Sequence, residues 1–316
     1  MPNPREARWA AVPRASGARW WLPLDGPRET ASSFQLYQPV TFKGLAAWGV
    51  ARSLARRGAF AAAPRGRPPE AVLRHLEELL SVGDHVAVAR TNHEDRYVAL
   101  VLGAGGAPRL LVKVATAPEG QERLALEAEN VERFAPLLEP PLSAPTIRSL
   151  RAGAVAYDVV PWTPRKLPWM LPEDVARSLG SLFAKTAHDG LGAAHGDCAP
   201  WNLMRHPGGW TLVDWEDADA ARAPFYDVFH FVVQSHTLLR LPRRRDVVRG
   251  LGGDGWIGRA IAAYAAAAGV PAGASSACFR TYLETSAHFA EGERRRERTS
   301  ARARARLSAA VEGRGA

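Results

Sequence analysis

Three oxygen-bearing side chains occur close together in one stretch of the sequence and could hold a divalent cation against a phosphate. They are Asp197, Asn202 and Asp214. Between Asn202 and Asp214, two short apolar runs flank a Pro-Gly-Gly sequence that is typical of a hairpin turn. If residues 203–205 pair with residues 211–213, Asn202 and Asp214 lie side by side at the open end of the hairpin, and Asp197 lies on the loop that enters it. Such hard oxygen ligands, completed by phosphate and water, are what Mg²⁺ prefers.

The spacing of these residues also resembles a known family. His195-x-Asp197-x-x-x-x-Asn202, followed by an apolar strand and Asp214, is similar to the catalytic loop and the metal-binding Asp of the aminoglycoside phosphotransferase and choline kinase family. Members of that family share the protein-kinase-like fold. The resemblance covers residues 84–290 and is strongest around the motif itself.

The resemblance implies an ATP- and Mg²⁺-dependent phosphotransferase that moves the γ-phosphoryl group to a hydroxyl of a small molecule. In that family's scheme Asp197 is the base that accepts or orients the acceptor hydroxyl, and Asn202 and Asp214 hold Mg²⁺ against the nucleotide phosphates. Asp227 ends a Pro-x-x-Asp sequence that braces the loop in the family. We expect His195 to fix the loop by hydrogen bonds rather than to exchange protons.

A second group of residues is expected to bind the nucleotide. Lys113 alternates within the apolar run 110–114, where an ammonium group needs an anion, and the resemblance supplies the α- and β-phosphates of ATP. Glu127 heads an apolar helical stripe, so it can face inward and pair with Lys113, whereas Glu129 falls on a different face. The strand that ends at Val160 is, by the resemblance, the hinge whose backbone groups bind the edge of adenine.

Periodicity and turn residues predict the elements that must position these side chains. Residues 1–42 show neither a helical nor a strand period. Helices are predicted over 44–57, 68–80, 119–138, 172–188, 225–239, 256–268 and 276–306, and strands over 85–89, 97–102, 110–114 and 154–160.

A β-rich first half followed by a helical second half predicts an α+β fold. With the resemblance, this becomes a two-lobed protein-kinase-like fold with a small antiparallel N-lobe and a larger helical C-lobe. The predicted domains are an N-terminal extension with two helices (1–83), a nucleotide-binding N-lobe with the hinge (84–162), and a C-lobe (163–316). The C-lobe carries the catalytic loop and an arginine-rich C-terminal helix.

Composition restricts the class of protein. The 316 residues are 47% hydrophobic and 23% charged, which is typical of globular proteins and excludes a disordered or fibrous chain. No apolar run approaches the roughly 18–20 residues of a transmembrane helix, and the N-terminus has no apolar segment of a secretory signal. Cys198 and Cys278 are too few for a disulfide framework or a four-thiolate zinc site. These features predict a reduced, cytoplasmic protein.

Charge indicates possible partners. The net charge is +9, and only four of the basic residues are lysine. An arginine excess suggests anionic ligands such as nucleotides, nucleic acid or acidic lipid, but a coding bias toward Ala and Arg is the favoured explanation. The arginine run 294–306 is interrupted or preceded by Glu291, Glu293 and Glu297, which favours a solvated helix face over a nucleic-acid surface. Nucleic acid is therefore not an expected partner, and the sequence leaves the oligomeric state open.

The acceptor is expected to be a sugar or a similar polyol, because a basic C-lobe is unfavourable for polycationic aminoglycosides. Two alternatives remain open at this point. One is an aminoglycoside kinase. The other is a pseudokinase or regulatory binding module, because the turn at residues 91–95, in place of the family's nucleotide-covering loop, contains no glycine. Trp215 and Cys198 are expected to be buried packing residues.

Overall fold

The computed structural model describes residues 8–93, 95–286 and 294–312. The chain forms two compact units. The first comprises Met1–Glu129 and Pro145–Pro161, and the second comprises Asn130–Ala144 and Trp162–Ala316. The predicted division at residues 83 and 162 assigns functions to segments and stays a prediction.

Strands outnumber helices in the first half of the chain, and helices dominate its last third. The strands are β1 (Trp9–Val12), β2 (Trp20–Pro23), β3 (His85–Arg90), β4 (Arg96–Leu102), β5 (Pro108–Ala115), β6 (Leu142–Ser143), β7 (Ile147–Arg151), β8 (Ala154–Asp158), β9 (Gly192–Ala194), β10 (Leu203–His206), β11 (Gly209–Leu212) and β12 (Asp219–Arg222). The helices are α1 (Pro27–Ser32), α2 (Phe42–Arg56), α3 (Glu70–Glu77), α4 (Pro118–Phe134), α5 (Glu173–Thr186), α6 (Tyr226–Gln234), α7 (Arg244–Leu251), α8 (Gly255–Ala268), α9 (Ser275–Thr285) and α10 (Arg294–Glu312).

The first unit is built on a seven-stranded antiparallel sheet with the order β1-β2-β3-β4-β5-β8-β7. Alternate residues of its central strands, such as Val86, Val88 and Val112, face one buried cluster. Val72 and Leu76 of α3 pack into the same cluster, because their spacing places them on one side of that helix. The strands β3, β4 and β5 confirm the three antiparallel strands predicted there.

The N-terminal segment contributes more order than the sequence predicted. Two strands, β1 and β2, continue the sheet beyond β3, with Trp20 opposite Ala89. The indole of Trp9 also donates a hydrogen bond to the backbone oxygen of Val86 at 2.9 Å. The expectation of irregular structure over 1–42 was wrong at these strands, because four residues rich in Ala and Trp are too few to show a period and pairing with a distant strand stabilises them.

The second unit is mostly helical. Helices α5 and α8 approach closely at Gly180, where a Cβ would lie 2.4 Å from the backbone oxygen of Tyr264. Helix α6 is buried along its whole length. The single helix predicted over 276–306 is two helices, since α9 ends at Thr285 and α10 begins at Arg294. Residues 287–293 of that prediction lie outside the described residues.

These two units confirm the predicted α+β class with an antiparallel first sheet and a helical second part. The strand predicted over 154–160 ends at Asp158, two residues before Val160. Within the ranges that the structure describes, no helix is both long and apolar enough to cross a bilayer.

Candidate active site

The predicted hairpin between Asn202 and Asp214 is present as β10 and β11. Leu203 pairs with Leu212, however, so the register differs by one residue from the expected pairing of 203–205 with 211–213. Asn202 therefore lies opposite Val213, whose backbone N–H donates to the Asn202 carbonyl at 2.9 Å. Asp214 follows one residue later, at the open end of the hairpin.

Asp214 has a left-handed backbone with φ of 75°. This conformation costs a residue other than glycine about 1–3 kcal/mol, so its surroundings must hold it. The next residue, Trp215, is fully buried, and its indole donates to the Leu212 oxygen at 2.7 Å. The side chain of Asn130 donates to the Trp215 oxygen at 2.9 Å. These contacts anchor the backbone beyond Asp214, and they confirm Trp215 as a core residue.

Asp197 is held at both carboxylate oxygens. Its Oδ2 accepts from the Asn202 side-chain amide at 2.8 Å, and its Oδ1 lies 2.7 Å from Nε2 of His230. The Asn202 amide also donates to the Asp197 backbone oxygen at 2.9 Å. Both hydrogens of that amide are thus used within the loop, which leaves the Asn202 Oδ1 as the atom able to ligate a cation.

His230 is a member of the site that sequence reasoning missed. It lies on α6 and is fully buried, whereas Asp197 is 23% exposed at the side chain. A sequence signal did exist, because His230 stands three residues after Asp227 and so shares a face of the helix with it.

Asp227 braces the loop, as the resemblance implied. Its carboxylate accepts from the backbone N–H groups of His195 at 2.8 Å and Gly196 at 3.0 Å. Burial raises the pKa of Asp227, and the nearby His195 and the two backbone bonds oppose that rise. Gly196 has φ of +84°, and a Cβ there would lie 2.0 Å from the Asp217 oxygen, so only glycine fits.

His195 fixes the loop by hydrogen bonding, as predicted. It is fully buried, and its Nε2 lies 3.1 Å from the Val213 oxygen. Burial lowers the pKa of His195, an effect that the charges of Asp227, Asp197 and Asp214 oppose. The imidazole is therefore neutral near pH 7, and its Nε2–H donates to Val213.

The predicted pair on the nucleotide side is formed within the first unit. The Lys113 ammonium lies 2.7 and 2.8 Å from the two carboxylate oxygens of Glu127. Glu127 is 2% exposed at its side chain, whereas Glu129 is exposed. This confirms the choice of Glu127 over Glu129. Val160 lies after the end of β8 and is half-buried, and its role as a hinge stays a prediction.

The fit of a magnesium ion can be judged from the donor set. Asn202 and Asp214 supply one amide oxygen and one carboxylate, both hard ligands, and Mg²⁺ leaves its remaining positions to phosphate and water. Among the described residues, no three His, Cys, Asp or Glu side chains form a cluster that could hold a metal by themselves. The residues present therefore suit an ion shared with a phosphorylated ligand.

Cys198 follows Asp197 directly and is fully buried. Burial and the charges of Asp227 and Asp197 raise the pKa of this thiol well above its ordinary value. A protonated, buried thiol is a poor nucleophile, which confirms the expectation of a packing residue.

The arginine-rich helix α10 differs from its prediction at Arg304. Arg302 and Arg306 are exposed, as a solvated face requires, but Arg304 is only 7% exposed. Leu307 and Val311 are buried with it at helical spacing. The prediction of a solvated face was wrong at Arg304, because this residue belongs to the packed stripe of α10.

A cavity of about 260 Å³ opens within the second unit. Two indoles and three charged side chains are among its lining residues, namely Trp169, Trp256, Asp246, Arg249 and Asp254. The Arg249 guanidinium lies 3.4 Å from the Asp254 carboxylate. Flat aromatic faces next to hydrogen-bonding charges are suited to a small, hydroxylated ligand.

A scan of protein-family models and a search of curated proteins find no match for this sequence. Solved structures similar to the chain include macrolide 2'-phosphotransferase MphH from Brachybacterium faecium, at 18% identity and a TM-score of 0.48, with 74% of this chain and 98% of that chain covered. ADP-bound aminoglycoside phosphotransferase APH(2'')-Ib matches at 11% identity and a TM-score of 0.48, with 76% and 99% covered.

The streptomycin–ATP ternary complex of APH(2'')-IIa matches at 10% identity and a TM-score of 0.47, with 71% of this chain and 89% of that chain covered. These structures are phosphotransferases of the kind that the motif from His195 to Asp214 resembles. Identities and TM-scores this low leave the activity of the present chain to be argued from its own residues.

Proposed function

We propose that this protein is an ATP- and Mg²⁺-dependent phosphotransferase that acts on a hydroxyl group of a small polyol, and that its two units correspond to the lobes of a protein-kinase-like fold. The observation that carries the proposal is the arrangement at Asp197. Its carboxylate is fixed at both oxygens, by Asn202 and by His230, on a loop next to the hairpin that presents Asp214. A partly exposed and immobilised carboxylate is suited to accept the proton of a bound hydroxyl.

Asn202 and Asp214 would hold the magnesium ion, through the amide oxygen left free by the loop contacts and through the carboxylate. When bound, Mg²⁺ neutralises part of the negative charge of the phosphates. Phosphoryl transfer needs little covalent work from a protein, so positioning and charge are the main contributions of this site. The loop is held rigid by the hydrogen bonds that its backbone N–H groups donate to Asp227 and by the anchored Trp215.

Lys113 would bind the α- and β-phosphates, and Glu127 would orient its ammonium group. The two bonds between them hold a flexible side chain in one place, which is what phosphate binding at a fixed position requires. The backbone at Val160 would bind the adenine edge. These assignments follow the family resemblance, and the ion pair supports them.

The acceptor would bind in the cavity that Trp169 and Trp256 line. Its volume of about 260 Å³ is below the roughly 300–1,000 Å³ of sites for drug-sized ligands, which favours a molecule of monosaccharide size. Two carboxylates and one guanidinium give the lining a small net negative charge, which admits a cationic acceptor as well as a neutral one. The preference for a sugar or similar polyol therefore rests on the volume and the two indoles, and an aminoglycoside is the second candidate.

The proposal is tested by measuring Mg²⁺-dependent consumption of ATP with a panel of neutral sugars and polyols, sugar phosphates, and aminoglycosides. Turnover on neutral polyols, lost in Asp197→Asn, is the expected result. Turnover on aminoglycosides alone would support an aminoglycoside kinase instead. Nucleotide binding without turnover on any acceptor would favour a regulatory module that has kept the fold.

A further inference from the structure

A chain of buried hydrogen bonds leads away from Asp197 to the C-terminal helix. His230 contacts the Asp197 carboxylate through Nε2, and its other ring nitrogen, Nδ1, lies 3.2 Å from the Tyr282 hydroxyl. The Arg304 guanidinium then lies 3.4 Å from the same hydroxyl. The three residues come from α6, α9 and α10, so one path of contacts connects three helices of the second unit to Asp197.

The donor and acceptor atoms along this path fix the direction of each hydrogen bond. An arginine has only donors, so Arg304 donates to the Tyr282 oxygen. Burial raises the pKa of Tyr282 more than the charge of Arg304 lowers it, so the phenol keeps its proton and can donate to His230 Nδ1. With Nδ1 accepting from Tyr282, the proton of the His230 ring lies on Nε2, which donates to the Asp197 carboxylate. Every bond points toward Asp197.

The burial of Arg304 requires an explanation of its own. Its guanidinium contacts the Ser286 hydroxyl at 2.8 Å and lies over the Tyr282 ring, at 5.6 Å from the centroid. Both are neutral groups, and no carboxylate in the described ranges of the chain forms an ion pair with Arg304. A guanidinium that is only 7% exposed needs hydrogen-bond acceptors, and the hydroxyls of Ser286 and Tyr282 supply two of them. The charge of Arg304 lowers the pKa of Tyr282 and the charge of Asp197 raises it, and these two residues lie at opposite ends of the hydrogen-bond path.

We propose that Arg304, Tyr282 and His230 form a positioning set that orients the carboxylate of Asp197 for catalysis. The proposal rests on the proposed function in taking Asp197 as the base. Arg304 fixes the direction of the Tyr282 hydroxyl, and Tyr282 selects the His230 tautomer that has its proton on Nε2. If that tautomer is lost, His230 presents a lone pair to Asp197 and repels it. The C-terminal helix thereby contributes to catalysis without contacting substrate.

The first test reads the tautomer directly and does not depend on activity. In protein labelled with ¹⁵N-histidine, the His230 ring nitrogens are assigned by NMR from the loss of one signal set in His230→Gln. The wild type is expected to show a protonated Nε2 and an unprotonated Nδ1. In Tyr282→Phe the population with a proton on Nδ1 is expected to rise. Unchanged His230 signals in a folded Tyr282→Phe protein would overturn the proposal.

The second test separates kcat from KM. Tyr282→Phe and Arg304→Met are expected to lower kcat about tenfold, because a bond to a charged group is weakened, while KM for ATP changes little. Arg304→Lys and His230→Gln, which retain a donor, are expected to recover part of the loss relative to Arg304→Met and His230→Leu. Arg306→Met, on an exposed position of the same helix, is the matched control.

The outcomes distinguish the two proposals. If the wild type transfers phosphate and Tyr282→Phe has the same kcat, the positioning set is wrong and the proposed function stands. A wild type with no transfer, but with the expected tautomer shift, would overturn the proposed function while the hydrogen-bond chain stands. Equal losses in kcat for Arg304→Met and Arg306→Met would also contradict the proposal.

Discussion

The carboxylate of Asp227 lies 2.8 Å from the backbone nitrogen of His195, 32 positions earlier in the chain. This contact, with the second bond to Gly196, attaches helix α6 to the loop that carries Asp197. Since His230 on the same helix contacts Asp197, α6 fixes both the backbone of the loop and its central side chain. The site is therefore supported by helix α6 as well as by the hydrogen bonds within its own loop.

Replacing Asp227 with Asn should destabilise the loop. The amide oxygen can accept one of the two backbone bonds, but the amide nitrogen would face the other N–H, and that buried group loses its acceptor. The free energy of unfolding should fall by about 1–3 kcal/mol, measured by urea denaturation. Asp189→Asn, at a largely exposed side chain, is the matched control and should change little. Equal effects of the two substitutions would contradict the bracing role.

Gly196→Ala should lower the stability of the protein more than Gly190→Ala does, although both glycines have a left-handed backbone. At Gly196 the new Cβ would meet the Asp217 oxygen at 2.0 Å, whereas at Gly190, with φ of +77°, nothing lies within 4 Å. Both substitutions introduce backbone strain of about 1–3 kcal/mol, but only the first adds a clash. Thermal unfolding should show a distinctly lower midpoint for Gly196→Ala. Similar midpoints would show that the loop can move away from Asp217.

Glu127→Gln should weaken both stability and nucleotide binding. It replaces the carboxylate that contacts the largely buried Lys113 ammonium with a neutral amide, at a cost of about 1–3 kcal/mol. The affinity for ADP should fall, because Lys113 is no longer held in one place. Calorimetric titration measures the affinity, with Glu129→Gln on the exposed face of α4 as the control. If Glu129→Gln weakens ADP binding as much as Glu127→Gln does, the assignment of Glu127 to the nucleotide site is wrong.

The buried His195 predicts a specific pH dependence of stability. Its folded pKa lies below the ordinary value of 6.5, so above pH 6.5 both states are neutral and the full stability is present. As the pH falls below that value, the unfolded chain takes up a proton that the folded protein excludes, and stability is lost. His75, whose pKa burial also lowers, acts in the same direction. Asp227, whose folded pKa is raised above 3.8, acts in the opposite direction at lower pH.

The measurement is the free energy of unfolding between about pH 7.5 and pH 5.5 for the wild type and His195→Gln. The wild type should lose stability on acidification, and His195→Gln, which retains His75 and Asp227, should lose less. Parallel curves for the two proteins would show that His195 does not exclude a proton in the folded state.

The sequence predicted the parts of this site that depend on local pattern. The turn between Asn202 and Asp214 identified the hairpin, and helical spacing distinguished Glu127 from Glu129 as the partner of Lys113. The exact register was one residue off, because a two-residue turn and a longer turn are compatible with the same Pro-Gly-Gly sequence, and only the pairing of Leu203 with Leu212 decides between them.

Other parts depend on tertiary contacts, for which local patterns gave only a weak signal. His230 lies in an apolar helix, where a single histidine is equally consistent with packing, and its contact with Asp197 is 33 residues distant in sequence. Arg304 stands among exposed arginines, and only its spacing with Leu307 and Val311 marks it as buried. The strands β1 and β2 are stabilised by pairing with β3, which is a tertiary effect.

The most direct test of the account is metal-dependent nucleotide binding by Asp214→Asn. Asparagine tolerates the left-handed backbone at this position, so the hairpin should persist while one negative ligand is lost. Mn²⁺, followed by electron paramagnetic resonance in the presence of ADP, reports the ion itself. We predict that Asp214→Asn weakens Mn²⁺–ADP binding about tenfold or more, whereas Asp189→Asn binds as the wild type does. Undiminished Mn²⁺–ADP binding by a folded Asp214→Asn protein would contradict it.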